Sequence, residues 1–210
     1  QIAEQLPYEW VYGELIKEVE EIENELHGLT ILRFIGTYPR LEEIISDEKF
    51  IEVTTTKIRI IGDFNLQIAI FILALKLSHC ERDILNRYAS AVDMPDMTQL
   101  KDVFTRMETL TDKVMVVVAA YILNSELGEG LYSESKKHFE DSVKQNCEDK
   151  SIFNDVGKAI FYIATFDHDF AEKLINQVNP KSMQNDMRRY VSEIYIPGIS
   201  TLTSHSEVDR

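Results

Sequence analysis

Residues that break helices are scarce in this chain. It has eight glycines and five prolines in 210 residues, against roughly 15 and 10 at average usage of ~7% and ~5%. A sandwich or barrel needs a turn every few residues, which Gly and Pro usually supply. Their scarcity predicts long helices. The apolar residues agree, because they recur at steps of three and four, the spacing of one helix face. Over residues 8–27 the stripe is Leu15, Val19, Ile22 and Leu26, running on to Leu29, with a nearly all-Glu face opposite. Two heptads are too few for a self-standing coiled coil. One solvated helix packing on the body is expected, started by Pro7 and capped by Gly28.

Leu29 to Tyr38 is a short apolar piece closed by Pro39, and 40–50 reads as a helix with Leu41, Ile44, Ile45 and Phe50 on one side. Residues 51–61 are rich in β-branched side chains, which favours a strand. A lone strand leaves its backbone unpaired, and Ile51, Thr55 and Ile58 also share a helix face, so a helix is expected there. Gly62-Asp63 breaks the pattern, and Asn65 is the expected cap of an apolar helix over 66–77. That run is too short for a bilayer span, which takes about 20 residues, and predicts a buried core helix.

From residue 79 the pattern becomes regular. Helices are predicted over 79–92, 96–107, 111–124, 131–146, 150–164, 167–178 and 182–196. The connections contain Asp93 to Pro95, Gly128 to Gly130, Asp167 to Asp169 and Asn179-Pro180. Links this short make consecutive helices antiparallel neighbours. The tail 197–210, rich in Ser and Thr, has little to bury and is expected to be disordered. The domain reading is therefore an N-terminal helical subdomain over 1–78, a helical-hairpin domain over 79–196, and the tail.

Alternate helices of the second region start at 79, 111, 150 and 182, steps of 32, 39 and 32. Helix–turn–helix repeats have periods of 33 to 47 residues. The clearest unit is 152–185, with Ala159 and Tyr162 as a small-then-aromatic pair and Ala171, Ile175 and Val178 on the second helix. In these residues the chain resembles the tetratricopeptide class of helical-hairpin repeats over about 79–196. It departs from that pattern at Asp155, where the motif has Trp, at Lys158, where it has Leu, and at the early Pro180. The resemblance implies an all-α fold, a right-handed stack of antiparallel hairpins (an α-solenoid), in which the first helix of each hairpin lines a concave, partner-binding face. Carried over, it makes Asn86, Lys113, Asn154, Lys158 and Arg189 candidate groove residues, able to hold a peptide backbone or an acidic tail. An irregular helical bundle stays open as the other architecture.

Net charge is −14. Phosphate binding needs a surplus of Lys and Arg, so nucleic acid is not an expected partner, and anionic membrane surfaces are disfavoured too. Residues 1–50 hold 12 acids and four bases, 4 − 12 = −8, leaving −6 for the other 160. The acidic first helix would suit a basic partner. Two cysteines, Cys80 and Cys147, are too few for a secreted disulfide scaffold and read as reduced thiols of a cytoplasmic protein. Gln1 to Tyr12 shows no basic n-region or apolar stretch of a signal peptide. A first residue of Gln rather than Met suggests a piece of a longer protein.

Catalytic and cofactor devices are not apparent. The histidines 27, 79, 138, 168 and 205 show no paired ligand spacing, so no metal is expected. Asp167-His168-Asp169 reads as a helix N-cap more readily than as a carboxylate-oriented base. Ser133-Glu134-Ser135 reads as a helix start. Gly128-Glu129-Gly130 lacks the Lys and Ser/Thr of a phosphate loop and reads as a turn. The aromatic residues read mainly as core. The sequence thus predicts a cofactor-free, non-catalytic scaffold or regulator that docks a partner polypeptide in a concave groove. Two alternatives remain: a helical enzyme built on dispersed acids and His168, or a compact bundle with an apolar ligand cavity lined by 66–77.

Overall fold

The computed structural model describes residues 7–23, 27–28, 30–31, 40–77, 82–146, 150–178 and 181–193. Every regular element among them is a helix. Leu26, Leu29, residues 32–39, both cysteines, Asn179-Pro180 and the tail 197–210 lie outside the described residues, so the expectations placed on them are not addressed. The chain folds as two compact units, Gln1–Pro95 and Asp96–Arg210.

The first unit contains α1 (Tyr8–Glu20), α2 (Leu41–Ile45), α3 (Glu48–Ile61), α4 (Phe64–Leu77) and α5 (Arg82–Ala89). Residues 51–61 are helical, as the spacing of Ile51, Thr55 and Ile58 predicts. Asp47 caps this helix, accepting from the Lys49 and Phe50 amides at 3.0 Å each, and Gly62 closes it in the left-handed region at φ +63°. Helix α4 is capped by Asp63, not Asn65: Asp63 Oδ1 accepts from Asn65 N at 2.9 Å and Leu66 N at 3.2 Å. The mistaken cap arises because both residues are capable acceptors two positions apart. Helix α1 packs on α3, and α4 on α2 and α5, around Leu15, Ile44, Ile58, Phe71, Leu85 and Tyr88.

Helix α1 is shorter than its apolar stripe suggests. It stops at Glu20, although Ile22 stays buried beyond it. Glu20, Glu21 and Glu23 crowd the negative end of the helix dipole, where acids are unfavourable. The Lys57 ammonium donates to the terminal Glu20 carbonyl instead. Gly28 is not a C-cap. It sits in a helical turn against α4, where a Cβ would stand 2.5 Å from Leu66 Cδ1.

The second unit holds α6 (Met97–Arg106), α7 (Leu110–Leu123), α8 (Ser125–Asn146), α9 (Lys150–Ala164), α10 (His168–Ile175) and α11 (Lys181–Glu193). Their principal contacts join neighbours and next neighbours in the chain: α7 with α6, α8 and α9, then α9 with α8, α10 and α11. From Val114 to Ala120 helix α7 is apolar on all sides and fully buried, as expected of a stretch without a polar face.

Helices α7 and α8 are joined by Asn124 alone. Gly128 to Gly130, read from sequence as a connection, lie inside α8, and Ser133-Glu134-Ser135 lies mid-helix rather than at a start. Ser135 Oγ donates back to the Leu131 carbonyl at 2.7 Å. Gly128 serves close approach: a Cβ there would stand 2.6 Å from the Tyr121 Cα on α7. That packing need overrides the poor helix propensity of Gly.

Asp155 ties α9 to the start of α7. From α9 it accepts the Leu110 amide at 2.7 Å and the Thr111 amide at 3.0 Å, the first donors of α7. Its carbonyl takes the Thr111 hydroxyl at 3.1 Å. Thr109 caps the same end through the Asp112 amide at 3.0 Å. Two otherwise orphaned, partly buried amides thus depend on one side chain of another helix. Asp155→Ala is expected to lower the unfolding free energy by about 1–3 kcal/mol, the usual cost of stranding buried donors. The shift of the urea midpoint measures it, and a change below ~0.5 kcal/mol would show that water replaces the cap.

Candidate functional site

The five residues drawn from the repeat resemblance are not all gathered together. Asn86 lies exposed on α5, in the first unit. Lys113, on α7, turns toward its neighbours: its Nζ stands 3.2 Å from His138 Nε2 and 5.3 Å from the Phe104 ring centroid. Asn154 and Lys158 are exposed one helical turn apart on α9. Arg189 is exposed on α11. Helices α9 and α11 meet nearby, where a Cβ on Gly157 would stand 3.8 Å from Met187 Cε. Asn154, Lys158 and Arg189 therefore belong to two contacting helices, whereas α7 offers no open face along 114–120.

A second constellation was not legible as a unit in the sequence. Asp167 caps α10 through the Phe170 amide at 2.9 Å, as the sequence predicts. Its other oxygen accepts the Tyr132 hydroxyl at 2.8 Å and the Lys136 ammonium at 2.9 Å, both from α8. Burial acts to raise the Asp167 pKa, but the Phe170 amide, Lys136 and Tyr132 outweigh it and hold the carboxyl below its usual range. Burial, then the bond to Asp167, pushes the Tyr132 phenol well up. The Lys136 Nζ also lies 4.5 Å from the Tyr132 ring centroid and 5.2 Å from that of Phe170. Tyr132 meets Phe166 and Phe170 edge-on at 5.0 and 6.0 Å. Tyr132 and Lys136, one turn apart, face Asp167 across 31 or more residues, so no local signal joins them. Both carboxylate oxygens are engaged by these donors, an arrangement that ties α8 to α10.

His138 is packed edge-on against Phe104, ring centroids 5.7 Å apart, with the Lys113 ammonium beside it. Partial burial and that neighbouring charge hold its pKa below the usual imidazole range. The neutral ring can accept a hydrogen bond from Lys113.

Two pockets lie among the described residues of the first unit. One is an apolar cavity lined by Ile22, Ile45, Phe50, Ile58, Ile70 and Tyr88 among others, with free space of about 20 Å³. A space of that size holds about one water, far below the roughly 300–1,000 Å³ of a ligand pocket. Thr54 lines it, and its buried hydroxyl has no hydrogen-bond partner among the described residues. The other is an open groove of about 460 Å³ along α1, bordered by Trp10, Val11, Leu15 and Ile31 with Glu14 and Glu18. Trp10 was not singled out from the sequence. It is 55% exposed, unusual for the chain's single tryptophan.

Among the described residues no cluster of three or more His, Cys, Asp or Glu could hold a metal ion, and no helix is long and apolar enough to cross a membrane. Comparison with protein-family models, curated protein sequences and solved structures returned no match.

For His138 the sign of the pH effect follows from the lowered pKa. The unfolded chain, with a pKa near ~6.5, takes up a proton before the folded one does. The His138 contribution is therefore intact above that pH and lost as pH falls toward the folded pKa. In an NMR titration His138 should titrate below the ordinary imidazole value of ~6.5, and Lys113→Met should move it upward. A His138 midpoint at or above that value, unmoved by Lys113→Met, would contradict the arrangement.

Proposed function

We propose that the chain is a non-catalytic, cytoplasmic protein-binding module, a scaffold or regulator whose second unit is a tetratricopeptide-like stack of helical hairpins. The supporting observation is the order of packing among α6 to α11, in which helices meet chiefly their neighbours and next neighbours along the chain. That order is characteristic of stacked repeats, which present extended surface. The reading takes the docking face to be on α9 and α11, because Val114 to Ala120 of α7 are buried, Lys113 faces His138, and Asn86 belongs to the first unit. There Asn154 supplies an amide, and Lys158 and Arg189 supply two cations. Against an acidic background these cations suit a peptide backbone or an acidic segment of the partner.

The test compares partners captured from native lysate by the wild type, by Lys158→Glu with Arg189→Glu, and by Lys137→Glu as a control on exposed α8. The reading expects at least one captured protein to fall about tenfold with the double reversal while surviving the control. An unchanged set would remove the α9–α11 face from consideration.

A further inference from the structure

We propose that the groove along α1 docks a basic amphipathic helix of a partner protein. This surface belongs to the first unit and is independent of the α9–α11 reading. Its floor is apolar: Val11 and Leu15, one turn apart on α1, and Ile31 are all nearly fully buried beneath it. Trp10 stands at the edge, more than half exposed. An exposed tryptophan beside an apolar cleft is the residue type most often found to anchor protein interfaces. The groove volume of about 460 Å³ suits large apolar side chains entering from outside.

Charge selects the occupant. Glu14 and Glu18, one turn apart on α1, border the groove. The pairs already present, Glu14 with Lys17 at 2.5 Å and Glu18 with His27 at 3.3 Å, are largely solvent-exposed. Such pairs contribute little, so a partner's Lys or Arg can replace them at small loss. An acidic rim repels nucleic acid and anionic lipid alike. An extended peptide would need an unpaired backbone edge to bind against, and α1 satisfies its own backbone. A helix with apolar residues three and four apart, flanked by cations, meets both the floor and the rim.

The single tryptophan makes the site its own reporter. The probe is a synthetic peptide of Leu and Lys, about 18 residues or five helical turns, with its leucines on one face. The control has the same composition with its leucines scattered. The amphipathic probe is expected to shift Trp10 emission to shorter wavelength, saturably, and to bind at least tenfold more tightly than the control by calorimetry. Glu14→Lys combined with Glu18→Lys, and separately Trp10→Ala, should each weaken calorimetric binding about tenfold. Reversal of Glu126, exposed on α8 in the second unit, should not. Circular dichroism checks that each variant is folded, and Trp10→Phe provides a milder replacement that should bind within about threefold of wild type. Equal binding of the two peptides would overturn the proposal by showing general attraction to an acidic protein. So would unchanged affinity in the folded rim and Trp10 variants.

Discussion

Burial of one helix without a polar face is the constraint on which the second unit depends. Along Val114 to Ala120, helix α7 has no side it can show to water. Every neighbour must therefore be placed to shield it, and its backbone ends must be satisfied away from solvent. Hydrophobic burial supplies the drive but has no direction. Direction comes from the polar groups at the ends. Thr109 caps α7 from its own strand of chain, and Asp155 caps it from α9. A carboxylate accepting two amides at fixed geometry sets the height of α9 against α7 more strictly than apolar contact can. At the far end, the lack of a side chain at Gly128 lets α8 turn back against Tyr121 after a single linking residue.

The same device recurs outward from α7. Asp167 caps its own helix and also receives Tyr132 and Lys136 from α8. In the first unit Asp47 caps α3 and receives the Tyr12 hydroxyl from α1. That bond, together with the Phe50 and Lys49 amides, outweighs burial and holds the Asp47 carboxyl low. Gln67 exchanges two hydrogen bonds with Asp93, at 2.9 and 3.0 Å, tying α4 to the segment before Pro95. Apolar faces bring the helices together, and bifunctional polar caps set their register. The two proposed docking surfaces, the α9–α11 face and the Trp10 groove, lie outside these capping contacts.

Helix content was legible because it is written locally. Apolar spacing and scarce breakers are properties of short windows, and the helix over 51–61 followed from spacing despite its β-branched residues. The errors fell where one residue type serves two purposes. Gly128 and Gly130 read as a turn because glycine favours turns, yet here its missing Cβ permits helices to touch. The capping role of Asp155 was not legible because its partners, Leu110 and Thr111, are 44 or more residues away. The stripe through Ile22 suggested a longer α1 because apolar spacing does not register the acids at its C-terminal end. Of the candidate groove residues, Asn154, Lys158 and Arg189 share contacting helices, while Lys113 faces His138 and Phe104. The sequence shows that Lys113 is charged but not which neighbour it meets.

The claim that α7 organises the second unit is tested most directly by native-state hydrogen exchange. The amides of Val114 to Ala120 should be the slowest in the chain segment 96–193. They should open only in the event that also opens α8 and α9, with the same free energy and denaturant dependence. Exchange of α7 at lower free energy than α8 and α9, or in a separate step that leaves those helices protected, would contradict it.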